Sequence, residues 1–93
     1  MSMKPEDELV EAIVMACRSM NKYSQAYIMP HGDFRLMITT QEEHNDGLSW
    51  WIRLMHEGGG GVIRSWHAEG QFGLMNAATQ ISLVLYPYKA KPL

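Results

Sequence analysis

The sequence predicts an α+β fold: a two-layer sandwich in which an antiparallel four-stranded sheet carries two helices on one face, in the order α-β-β-β-β-α. Three observations predict it. One segment near each end repeats its apolar residues at helical spacing, four segments between them alternate apolar with polar residues, and turn chemistry separates those four. Short connections favour an antiparallel meander. Two helices with apolar stripes must then bury them against the same sheet.

The first helix is expected over residues 5–21. Pro5 suits a first helical turn, where its missing N–H costs nothing, and Glu6, Asp7 and Glu8 follow at the positive end of the helix dipole. Leu9, Ile13, Ala16, Cys17 and Met20 recur at helical spacing, with Val10 and Val14 beside them. Arg18 and Lys22 sit where cations are favoured, and Asn21 is a candidate closing residue.

The period then changes. A short strand is expected over 25–29, followed by turn chemistry at Pro30, His31, Gly32 and Asp33. In the second strand, 34–40, Phe34, Leu36 and Ile38 alternate with Arg35, Met37 and Thr39. The polar run "EEHNDG", residues 42–47, ends in an Asp-Gly pair that signals a hairpin. The third strand, 48–57, sends Trp50, Ile52 and Leu54 to one face and Trp51, Arg53 and Met55 to the other. A fourth strand follows over 62–68, Gly70 breaks the pattern, and a second helix is expected over 71–86. Its apolar side holds Leu74, Ala77, Ala78, Ile81, Val84 and Leu85, and Pro87 begins a tail over 87–93.

Gly58, Gly59, Gly60 and Gly61 invite a phosphate-binding reading, but the context is wrong. The Walker form needs Lys and Ser/Thr after its last glycine, and a dinucleotide fingerprint needs a helix after its glycines. Here Val62 and Ile63 follow, in a strand. The glycines therefore read as a hairpin turn, supplying positive φ without steric cost. Burying Trp66 and Ala68 together with Ile52 and Leu54 suggests Leu54 opposite Trp66 and Ile52 opposite Ala68, with Gly59–Gly61 as a three-residue loop. That register puts Arg64 on the core face near the tip.

All 93 residues are expected to form one domain, with a core burying roughly 60–65% of the unfolded surface. A net charge of −2 is the wrong sign for a protein living on phosphates. Nothing calls for a cofactor. His31, His44, His56 and His67 are scattered without a zinc-ligand spacing, so no metal site is expected. Cys17 lies in the apolar stripe of the first helix, as a buried structural thiol would. Ser65 lacks the nucleophile-elbow glycines, and Glu42 and Glu43 are adjacent and so point apart. The expectation is that the protein is not an enzyme. The acidic start "MSMKPEDELVEA" lacks the pattern of a signal peptide, and no run approaches about 20 apolar residues. With a single cysteine, these features lead to an expected cytoplasmic location and no membrane association.

What remains is the outward sheet face. Trp51, Arg53, Met55, Met37, Arg35 and His67 share it, with Ser65. Trp, Met and Arg are enriched in protein interfaces, whereas a solvated face ordinarily carries Thr, Lys and Glu. The plain alternative is that the tail, through Tyr86 and Tyr88, folds over Trp51. The order helix, antiparallel sheet, helix resembles the double-stranded-RNA-binding domain, but the start of the second helix, "AEGQFG", lacks that family's lysine cluster. In layout, size and charge the chain also resembles the small accessory proteins of phages and mobile elements, anti-CRISPR proteins among them, without sharing a motif. That resemblance implies an inhibitor or adaptor. The leading expectation is thus a non-enzymatic protein-binding module acting through the sheet face, on a foreign protein or as a homodimer. Nucleic-acid binding is the alternative, and a small enzyme or metal protein the third.

Overall fold

The computed structural model describes residues 4–21, 26–42 and 48–88. Along the chain run α1 (Pro5–Ser19), β1 (Tyr27–His31), β2 (Phe34–Glu42), β3 (Leu48–His56), β4 (Val62–Glu69), α2 (Gly70–Leu85) and a 3-10 turn (Tyr86–Tyr88). The strands form one four-stranded sheet in sequence order, each neighbour antiparallel, so the chain is the α+β sandwich its periodicities predict.

α1 starts where its sequence favours it. The Lys4 carbonyl accepts from the Asp7 and Glu8 N–H groups, both at 3.0 Å, and the acidic first turn and Arg18 in the last turn complement the helix dipole. It stops at Ser19, short of the expected residue 21. Met20 closes it, in extended backbone, with its N–H on the Cys17 carbonyl at 3.1 Å.

The core lies between the helices and one sheet face. Leu36, Ile38, Trp50, Ile52, Leu54, Trp66 and Ala68 are buried there against Leu9, Ile13, Ala16 and Cys17 of α1 and Leu74, Ala77, Ala78, Ile81 and Leu85 of α2. Each fully buried aliphatic side chain contributes about 1.5–3 kcal/mol. One buried hydrogen bond ties the layers: the Trp50 indole N–H donates to the Cys17 carbonyl at 3.0 Å. The helices run antiparallel. At one end Arg18 Nη2 donates to Gln71 Oε1 at 2.7 Å, and at the other Tyr86 lies beside Glu8 and Leu9.

Three expectations need correction. β1 runs to His31 rather than ending at residue 29, so Pro30 and His31 belong to the strand and only Gly32 and Asp33 turn the chain. Pro30 is tolerated because β1 is an edge strand, and Gly32 adopts the left-handed φ of 59° that the tight turn requires. The register of β3 with β4 is Ile52 opposite Trp66 and Leu54 opposite Arg64, two residues from the predicted pairing. A bulge between Leu54 and Met55 then sets Met55 opposite Val62, leaving residues 57–61 as the connection rather than a three-glycine loop. The faces are nevertheless as expected, because a two-residue slip preserves them. Arg64 does lie on the core face near the tip, where it is exposed and its guanidinium sits 5.1 Å from the Trp66 ring centroid. The expected 42–47 loop lies, apart from residue 42, outside the described residues, as do His44, Lys22 and the tail from residue 89.

Candidate functional site: the open sheet face

Strand pairing turns the outward side chains into a grid. The first row is Pro30, Arg35, Met55 and Val62; the second is Ile28, Met37, Arg53 and Ser65. Thr39, Trp51 and His67 form the third, and Gln41, Ser49 and Glu69 the fourth. Both helices pack on the opposite face, and no element among the described residues covers this one. Tyr86 lines a groove with Glu8, Leu9, Met29, Pro30 and His31, on the helix side of the sheet, so it does not fold over Trp51.

Trp51 is the centre of the grid and is held there by three contacts. Its indole N–H donates to Gln41 Oε1 at 3.1 Å. The His67 ring lies 4.5 Å away between centroids, tilted by 36°. The Arg53 guanidinium is 5.8 Å from the Trp51 ring centroid, within cation–π range, and its Nη1 also donates to Thr39 Oγ1 at 3.4 Å. His67 Nδ1 in turn stands 3.8 Å from Glu69 Oε1, an ion pair when the imidazole is protonated. A large amphipathic ring is thus oriented in advance, which lowers the ordering cost of a contact made through it.

The face is electrostatically one-sided. Arg35 and Arg53 occupy diagonal positions, with Met37 and Met55 on the other diagonal. The first three rows hold no carboxylate; Glu69 is at the corner of the fourth. Of the six residues expected to form the contact, Trp51, Arg53, Met37 and Arg35 are half-buried and His67 is exposed. Met55, by contrast, is buried at 8% exposure between Arg35 and Val62, so it supports the face rather than presenting itself. The sequence did not single out Gln41 and Thr39, whose roles depend on pairing across strands.

Elsewhere the chemistry is sparse. His31 Nε2–H donates to the Leu85 carbonyl at 2.9 Å, and His56 stacks on Phe34 at 4.9 Å. These two histidines face the helix side and His67 the other, and among the described residues no group of three His, Cys, Asp or Glu is placed to hold a metal. Burial pushes the Cys17 thiol up to about 12, which keeps it protonated and unreactive at neutral pH. Of the four glycines, only Gly59 and Gly60 take positive φ.

No helix among the described residues is long and apolar enough to cross a membrane. Comparison of the chain with family models, curated proteins and solved structures returns no match.

Proposed function

We propose that this chain is a non-enzymatic protein-binding module whose contact surface is the open sheet face. The observation that carries the reading is Trp51, anchored by Gln41, His67 and Arg53 on a face that no described element covers. Preoriented Trp and Arg side chains dominate binding energy at protein interfaces. The partner is a foreign protein bearing carboxylates rather than a second copy on the same face. Two copies placed face to face would bring the Arg35 and Arg53 guanidiniums of each together with only Glu69 to oppose them. An inhibitor or adaptor role, as the phage-type layout suggests, needs no more than such a face.

The test pairs capture with folding. Tagged wild-type chain is expected to retain a partner that Trp51→Ala and Arg53→Glu release, while both variants keep the wild-type circular dichroism spectrum. Removing a hot-spot Trp costs about 2 kcal/mol or more, roughly thirty-fold in affinity. Equal capture by wild type and Trp51→Ala sinks the proposal.

One observation favours a second reading. Paired Trp51 and His67 rings beside the Arg53 guanidinium also suit stacking of single-stranded nucleic acid. Against it stand the net charge of −2 and the lack of lysine at the start of α2, where Gln71 is engaged by Arg18. A labelled single strand that shifts at low salt and is released as salt rises supports this reading; no shift at low salt ends it.

A further inference from the structure

α2 carries large apolar side chains on its outer side as well as on its inner one. Leu74, Ala77, Ala78, Ile81 and Leu85 are buried, yet Phe72 is 94% exposed, Leu83 60% and Met75 43%. At 3.6 residues per turn, Phe72, Thr79 and Leu83 fall on one line along the outer side, with Met75 and Asn76 flanking it. The helix contains no charged residue over its whole length. α1 differs: its outer side carries Asp7, Glu8, Glu11 and Arg18, with Met15 as its one large exposed apolar residue. Three large apolar side chains exposed on one side of an uncharged helix ordinarily mark a contact surface.

We infer that a second copy of this chain covers α2, the two α2 helices packing antiparallel across a two-fold axis. The pattern of the stripe is self-complementary in that arrangement. Phe72 of one copy meets Leu83 of the other, and Asn76 meets Thr79, so that apolar ends enclose a polar centre. Like stacks on like without burying any charge of α2, which removes the penalty that opposes symmetric contacts between charged surfaces. The flank is complementary as well. Because α1 runs antiparallel to α2, the same axis passes near Met15, itself 62% exposed, and sets Glu11 opposite Arg18 of the second copy. These groups line the groove beside Met75. Self-association through α2 does not use the sheet face, so the pair would present two Trp51 faces on opposite sides.

The experiment measures mass in solution by light scattering across a dilution series. Wild type is expected at twice the chain mass when concentrated. Phe72→Glu and, independently, Leu83→Lys are expected to be monomeric, the dissociation constant rising on the order of a thousandfold because each change is met twice across the axis. Both positions are exposed, so the thermal midpoint of diluted protein should stay near wild type. The double variant F72E/L83K is expected to regain the dimer, since opposite charges then face each other only in the antiparallel register. Trp51→Ala should leave the mass unchanged. A monomeric wild type, a dimer that survives both single changes, or a double variant that stays monomeric overturns the inference. So does a dimer lost in Trp51→Ala but kept in Phe72→Glu, which moves self-association to the sheet face.

Discussion

Replacing the four hairpin glycines one at a time by alanine should split them into two pairs. Gly59 and Gly60 hold φ of 107° and 97°, where an L side chain is strained, whereas Gly58 and Gly61 do not. A Cβ at any of the four meets nothing within 4 Å, so sterics with neighbours cannot distinguish them and backbone conformation alone decides. Strain at positive φ costs about 1–3 kcal/mol. Alanine also lowers the entropy of the unfolded chain, a gain of about 0.4–1 kcal/mol where the native conformation accepts it. Gly58→Ala and Gly61→Ala should therefore stabilise slightly, and Gly59→Ala and Gly60→Ala should destabilise by about 1 kcal/mol or more. The gap between pairs is about 2 kcal/mol, roughly 8–16 °C in Tm for a domain of this size. Thermal melts followed by circular dichroism read it directly. Four indistinguishable melting points, or Gly59→Ala melting above Gly58→Ala, would refute the assignment of the turn.

Three further outcomes follow from the core. Trp50→Phe should cost about 2–3 kcal/mol in urea unfolding, combining one lost hydrogen bond with a smaller ring; the Cys17 carbonyl keeps the Met20 N–H, so no orphaned acceptor adds to this. A loss under half that size would mean the indole bond contributes nothing. Ile52→Ala, at a fully buried position in the middle of β3, should cost about 2–5 kcal/mol, and a near-wild-type midpoint would contradict its place in the core. Cys17 should resist a thiol reagent at neutral pH until the protein is unfolded. Its folded-state value of about 12 stands above the ordinary 9.0, so its contribution to stability is full below pH 9.0 and lost as pH rises towards 12. Cys17→Ala should show a shallower fall in urea midpoint over that alkaline range, and an equal fall in both proteins would remove Cys17 as the cause.

Which side chains face the core was legible because a strand repeats every two residues and α1 repeats its apolar residues every three or four. Trp50, Ile52, Leu54, Trp66 and Ala68 could be placed inward, and Trp51 outward, from that pattern alone. The pairing of Ile52 with Trp66 rather than Ala68 could not, since sliding a strand by two residues leaves every face unchanged. The bulge at Leu54 and Met55 decides it, and a bulge leaves no periodic trace. His31 was hidden for a different reason. Proline and glycine on either side imitate a four-residue turn, while an edge strand accepts the proline and continues. The contacts that orient Trp51 depend on Gln41 and His67, each on a neighbouring strand, so they follow from register and not from any local motif.

The two outer strands of the sheet share a property that bears on how the protein survives at high concentration. β1 carries Pro30, which lacks a backbone donor, and β4 carries one extra residue, Ile63, where its pairing with β3 shifts register. An unblemished outer strand would offer a ladder of free N–H and C=O groups on which further chains could add without limit, the route to ribbons and fibrils. The missing donor of Pro30 and the extra twist that a bulge gives β4 both disfavour edge-to-edge addition of further copies. Such edges bias association towards side-chain contacts of finite size.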